Sequence, residues 1–166
     1  MKAQGEGFLN PFKVLSILDT PQKLDEWVTR KSYPVHVKFD LTGVCNLRCN
    51  FCSGVKTQAS LSTNKIAWAT LYSVLHELSE NGTRAVTYTG GGEPLLYSEI
   101  QECLELTRSL GFVYGLTTNA ALPFSPRLES NLKEANWIRA SVNAGSAHTY
   151  RIVHNPRQRG EKIYEL

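Results

Sequence analysis

Long apolar runs are missing from this chain. The longest uninterrupted apolar stretches are a few residues, which leaves nothing to span a membrane as a helix. The start, Met1 to Phe12, has no apolar core behind a basic end and does not read as a secretory signal. A strong charge of one sign is also missing: the net charge of +3 is too small an excess to argue for a nucleic-acid partner. No internal repeat and no low-complexity tract interrupts the sequence. Cysteine is scarce, with four in 166 residues, but three of them, Cys45, Cys49 and Cys52, fall within eight residues. Without a secretory signal such a cluster reads as a metal site in a reducing cytoplasm rather than as a disulfide framework. The remaining composition, 42% apolar and 20% charged, is that of a globular domain with a real core.

The first 34 residues read as a lead-in segment, with a short amphipathic pattern at Leu24, Trp27 and Val28 after Pro21. From Pro34 onward strand and helix patterns alternate. Val35 to Leu41 is a strand by its period of two, with Val35, Val37, Phe39 and Leu41 on one face and His36, Lys38 and Asp40 on the other. After a long loop, a helix is expected from about Thr63 to Asn81, capped by Ser62 or Thr63 and ended by Gly82 in a left-handed conformation. Ala85 to Thr89 is a second strand. A second helix begins near Ser98, with Ile100, Cys103, Leu104 and Thr107 at helical spacing and Gly111 closing it. Phe112 to Thr117 is a third strand. Ser125-Pro126 starts a third helix, a cap followed by proline at the first position. Trp137 to Val142 is a fourth strand, and Ser146 to His154 a fourth helix or its first turns. Such alternation implies a parallel sheet. An open doubly wound sheet and a barrel-like sheet both fit the periodicity. Lys38 and Asp40, Thr87 and Thr89, and Arg139, Ser141 and Asn143 each share a strand face. Those faces either line a ligand space or point to solvent.

The cysteines stand in Asp40-Leu-Thr-Gly-Val-Cys45-Asn-Leu-Arg-Cys49-Asn-Phe-Cys52, a C-x3-C-x2-C spacing directly after the first strand. Thiolates are the preferred ligands of iron–sulfur clusters. A loop this short brings three thiolates round one cuboidal cluster and leaves the fourth iron open. The competing reading is structural zinc, which asks for four ligands. Cys103 sits on the apolar face of a predicted helix, and His36, His76, His148 and His154 form no knuckle with any cysteine.

This loop resembles that of the radical S-adenosylmethionine (SAM) superfamily. The resemblance implies that Cys45, Cys49 and Cys52 bind a [4Fe–4S] cluster whose open iron is chelated by SAM. Reduction then cleaves SAM to a 5′-deoxyadenosyl radical that takes a hydrogen atom from the substrate. It places Phe51, the aromatic residue before the third cysteine, near the adenine. The second strand ends in Thr89-Gly90-Gly91-Gly92-Glu93-Pro94, which is similar to the family's Gly-Gly-Glu motif for the amino group of SAM and maps it to Gly91, Gly92 and Glu93. No phosphate-loop pattern accompanies these glycines. The third strand runs into Thr118-Asn119-Ala120, where the family often has glycine at the last position; these are rim residues or a capped turn. The fourth strand resembles the family's Ser-Leu-Asp segment, which helps bind SAM. Ser141 matches, Asn143 replaces the usual acid, and Arg151 is placed for the SAM carboxylate.

The resemblance thus implies an α/β fold: a partial (β/α) barrel of radical SAM type, with about four strand–helix units legible and truncated before the full six. The core domain would be residues 35–166, incomplete at its C-terminus. Implied partners are a small-molecule or peptide substrate, a flavodoxin- or ferredoxin-like electron donor, and a partner chain completing the barrel. The second reading, from another class, is a non-catalytic iron–sulfur-binding fragment or an accessory subunit of a split radical SAM enzyme.

Overall fold

The structure is a computed structural model that describes residues 33–52 and 64–155. The amphipathic part of the lead-in and the cap candidates Ser62 and Thr63 lie outside the described residues. Among the described residues no helix is long and apolar enough to cross a membrane.

Four strands, β1 (His36–Asp40), β2 (Ala85–Thr89), β3 (Val113–Thr118) and β4 (Trp137–Ala140), alternate with four helices, α1 (Trp68–Glu80), α2 (Ile100–Ser109), α3 (Pro126–Lys133) and α4 (Ala147–His154). All the strands are parallel and their spatial order is β1-β2-β3-β4. That order decides between the two architectures the periodicity left open. A doubly wound sheet reverses its strand order at a switch point and carries helices on both faces. Here each strand adds on the same side of the last, as in a barrel wall.

The faces differ in the same sense. Phe39, Val86, Tyr88, Tyr114 and Leu116 pack in one buried cluster with Leu71, Leu75 and Leu78 of α1, Ile100, Cys103 and Leu104 of α2, and Leu128 and Leu132 of α3. The register puts Lys38, Thr87, Gly115 and Trp137 in one row on the other face, with Asp40 beside Thr89 and Thr117 beside Arg139 in the next. Polar residues therefore stand on the face turned away from α1–α3. Gly115 is required where it stands, because a Cβ there would lie 2.0 Å from the Trp137 ring.

The helix boundaries follow local chemistry, with one departure. Ser125 and Ser146 cap α3 and α4, accepting hydrogen bonds from the backbone N–H of Leu128 and Thr149. Gly82 and Gly111 leave α1 and α2 at φ +86° and +80°. But α1 begins at Trp68, later than the expected Thr63, with Ala67 at the cap and no side-chain cap bond. The residues before it are held extended. Lys65 bridges Thr42 in antiparallel fashion, Gly43 N–H donates to Asn64 O at 2.8 Å, and Ile66 N–H donates to Leu41 O at 3.0 Å. Tertiary pairing with the start of the cysteine loop outweighs the local helical pattern.

Leu75 is fully buried between α1 and the sheet. Leu75→Ala is expected to lower unfolding free energy by about 2–5 kcal/mol, the range for a large-to-small core change. Urea titration followed by circular dichroism measures it, and a loss under ~1 kcal/mol would contradict the packing described.

Candidate cofactor site

The cysteine loop follows β1 and has no helix or strand of its own, so its backbone donors must find partners elsewhere. They find them at the end of α4. The last carbonyls of a helix have no partner within it. Arg48 N–H donates to His154 O and Asn155 O at 3.1 and 3.2 Å, and Asn50 N–H to Val153 O at 2.9 Å. The Asn50 side chain adds a bond to Ile152 O at 2.9 Å. Asn155, at φ +43°, ends the helix in a left-handed turn. Beneath the loop, Leu47 is buried with Tyr150 and Ala121, against which Cys45 and Cys49 pack.

The glycine turn after β2 grips the loop from the other side. Gly90 has φ +136°, and a Cβ there would fall 1.8 Å from a carboxylate oxygen of Asp40. The other oxygen of Asp40 accepts the Gly91 N–H at 2.9 Å. At Gly92 a Cβ would meet the carbonyl oxygens of Thr42 and Val44 at 2.3 and 2.4 Å. Next in sequence, Glu93 N–H donates to Val44 O at 2.8 Å. Glycine at 90 thus makes room for the Asp40 carboxylate, and glycine at 92 allows two backbones to touch.

Glu93 itself is 2% exposed. One carboxylate oxygen accepts the Thr118 hydroxyl at 2.6 Å and the Leu95 N–H at 3.2 Å; the other accepts the Asn119 N–H at 2.7 Å. Burial pushes its pKa up, against the pull of those three donors. The carboxylate ties the end of β2 to the end of β3. Asn119 carries the tie onward, donating from its side chain to Asn46 Oδ1 at 2.7 Å.

A cavity of about 420 Å3 opens among these elements. Cys45, Cys49, Cys52, Phe51, Gly91, Gly92, Glu93 and Ser141 all line it, so eight of the residues singled out in the sequence come together. Thr117, Thr118, Asn119 and Arg139 line it as well. Asn143 and Arg151 are not among the lining residues: both are exposed, and Asn143 contributes its backbone N–H to His154 Nε2 at 3.1 Å. Phe51, 57% exposed, meets the His154 ring edge-on with centroids 5.5 Å apart.

His154, which the sequence spacing paired with no cysteine, lines the cavity beside one. It is 1% exposed, stacks on Tyr150, and places Nδ1 3.2 Å from Cys49 Sγ. The four-residue step from Tyr150 to His154 was a legible helix face. The partner, 105 residues away in sequence, was not. Burial pushes the His154 pKa down.

The donor set fits the cluster that the cysteine spacing called for. No cysteine is in a disulfide, and Cys103 is fully buried in the core, so three thiols serve the cavity. Burial first, then the neighbouring Cys45 and Cys52, push the Cys49 pKa up to about 11. Those neighbours thus stand close enough to bear on its charge. Among the described residues no three His, Cys, Asp or Glu side chains converge on a single-ion position. A cuboidal cluster asks for something else, three thiols set around a space with one for each of three irons.

With this geometry in hand, the likeness to known proteins is informative. The sequence model of the radical SAM superfamily matches residues 40–166. The chain belongs to that superfamily, whose cofactors are a [4Fe–4S] cluster and SAM. GTP 3′,8-cyclase of Clostridium acetobutylicum is 31% identical over 110 residues, covering 65% of this chain and 34% of that protein. The S-adenosylmethionine-dependent nucleotide dehydratase of Flammeovirga pacifica is 29% identical over 121 residues, covering 70% of this chain and 41% of that one. Streptococcus suis SuiB bound to S-adenosylmethionine matches 64% of this chain and 24% of its own, with TM-score 0.53 and 25% identity. Streptococcus suis SuiB bound to precursor peptide SuiA gives TM-score 0.52, 25% identity and coverage of 64% and 23%. The chain spans about a third to two fifths of the length of the two curated relatives.

Two outcomes follow from the site. Glu93→Ala leaves the buried Asn119 N–H unpaired and is expected to destabilise by about 1–3 kcal/mol in denaturant titration, whereas Glu93→Gln, which keeps an acceptor, costs less. Thiol reactivity separates the cysteines. A thiol whose pKa is raised holds less thiolate at neutral pH and reacts more slowly. In the metal-free chain Cys49, at about 11, is expected to alkylate slowly and faster as pH rises toward that value. Cys103, fully buried and pushed by burial up to about 12, is expected to react only after denaturation. Peptide mass spectrometry after timed iodoacetamide reads both; early labelling of Cys103 would contradict the core placement.

Proposed function

We propose that this chain is the cluster- and SAM-binding part of a radical SAM enzyme acting on a small molecule or a peptide. The observation that carries the reading is the convergence of the three loop thiols and the Gly90–Glu93 turn on one cavity at the C-terminal ends of parallel strands. Cys45, Cys49 and Cys52 would ligate three irons of a [4Fe–4S] cluster. When bound, the reduced cluster with SAM supplies a 5′-deoxyadenosyl radical that abstracts hydrogen from the substrate.

The chain's own residues hold and enclose this chemistry. The backbone of Gly91 and Gly92 faces the cavity with no side chain in the way, leaving room for the amino group of SAM. Glu93, with both oxygens engaged by the rim, acts there mainly by fixing the turn. Phe51 offers an exposed ring for the adenine. Ser141, just after β4, lines the cavity and would offer its hydroxyl to SAM, with its backbone N–H paired to Thr118 O at 2.8 Å. Arg151, exposed on α4, and Asn143 would reach SAM only by a change of side-chain position. The core domain is residues 35–166 with a lead-in over 1–34, an electron donor of flavodoxin or ferredoxin type reduces the cluster, and a partner chain completes the barrel. By their names two relatives act on GTP and on a nucleotide, and the SuiB neighbour holds a precursor peptide. A small-molecule or peptide substrate covers both.

Anaerobic reconstitution with iron and sulfide, then dithionite and SAM, tests the reading. Brown protein, an electron paramagnetic resonance signal on reduction, and 5′-deoxyadenosine are expected. Cys45→Ala, Cys49→Ala and Cys52→Ala should each abolish the product, while Cys103→Ala should keep the cluster. Protein that retains no iron would refute it. Cluster without SAM cleavage would move the chain to the accessory class.

A further inference from the structure

Among the groups around the cavity, His154 has a geometry that none of the expected roles uses. Its two ring nitrogens face different partners. The backbone N–H of Asn143 points at Nε2 at 3.1 Å, so Nε2 must offer its lone pair. A neutral imidazole with an accepting Nε2 carries its proton on Nδ1. Nδ1 lies 3.2 Å from Cys49 Sγ. The hydrogen bond therefore runs from the imidazole to the sulfur, and the backbone sets its direction.

The ring has little freedom to do otherwise. It is 1% exposed, stacks on Tyr150 with centroids 4.3 Å apart, and is met edge-on by Phe51. The backbone of the same residue accepts the Arg48 N–H at 3.1 Å. One residue thus fixes the middle cysteine twice, through the carbonyl that holds the loop and through the ring that holds the sulfur.

We propose that His154 is a positioning residue for the cluster, donating from Nδ1 to Cys49 Sγ and thereby raising the cluster's reduction potential. This rests on the reading of Cys49 as a cluster ligand. A donor to a ligand sulfur withdraws electron density and stabilises the more negative, reduced cluster. The side chain of Asn119 donates to Asn46 Oδ1 at 2.7 Å and reaches Cys45 Sγ only at 3.9 Å. His154 is therefore the side-chain donor with the shorter approach to a loop sulfur.

The test uses the reconstituted whole chain and the potential of its cluster, read by dye-mediated redox titration with electron paramagnetic resonance. His154→Leu removes the donor and keeps an apolar body in the stack; His154→Asn carries an amide N–H near the place of Nδ1. The Leu variant is expected to load the cluster with its potential shifted negative, and the Asn variant to return toward wild type. A second measurement needs no variant to fold. In wild type grown with nitrogen-15 histidine, the reduced cluster should show a hyperfine coupling to a histidine nitrogen. A Leu variant that loads the cluster at the wild-type potential overturns the proposal, and so does wild type without that coupling. Wild type that retains no iron refutes the cluster reading itself, a failure that reconstitution shows before any potential is measured.

Discussion

The structure depends on a loop that cannot hold itself. Between Cys45 and Cys52 the chain forms neither helix nor strand, yet its thiols must stand in fixed positions for any cluster chemistry. A segment of this kind, with no ladder of its own, holds one conformation only if other elements supply the acceptors. The last turn of α4 does so, because a helix ends in carbonyls that have no partner within it. The bonds from Arg48 and Asn50 satisfy the loop and the helix end together.

The glycine turn makes the complementary contribution. Where α4 offers acceptors, the turn offers absence of bulk: Gly92 lets the carbonyls of Thr42 and Val44 come within a distance no Cβ would tolerate. Glu93 then makes the rim of β2 and β3 a single unit, and Asn119 ties that unit back to Asn46. The site is built by closing gaps between consecutive strand ends, which a sequentially ordered parallel sheet places side by side. Hence the barrel-like order matters to the chemistry: a doubly wound order reverses at its switch point and separates one pair of consecutive strands, whereas here every strand end has its sequence neighbour beside it.

Much of this was legible in the residues. The alternation of strand and helix, the polar face of three of the strands, Gly82 as a left-handed helix exit, Gly111 as a helix end and Ser125 as a cap all rest on interactions within a few positions, where side-chain type alone carries the information. Ala120 is instructive in the same way. It takes φ +55°, the left-handed region that glycine enters freely, at a place where the resemblance implied glycine is common. The start of α1 was misread because Asn64, Lys65 and Ile66 are held extended by partners at Leu41, Thr42 and Gly43, and no window on the helix contains those partners.

By itself, then, the amino-acid sequence determined the order of the elements and the set of cysteines, because each follows from near-neighbour spacing: period two for strands, helical period for the buried faces, and C-x3-C-x2-C for the thiols. Only the tertiary structure decided three things. It decided that the sheet runs in sequential order, that the Glu93 carboxylate bonds to the ends of β2 and β3, and that the His154 ring meets the cysteine loop. The reason is common to all three. Arg151 and His154 lie on one helix less than a turn apart, and which of them faces inward depends on how α4 docks against a loop more than a hundred residues upstream. That docking is a sum of long-range packing and hydrogen bonds, and no local pattern encodes it.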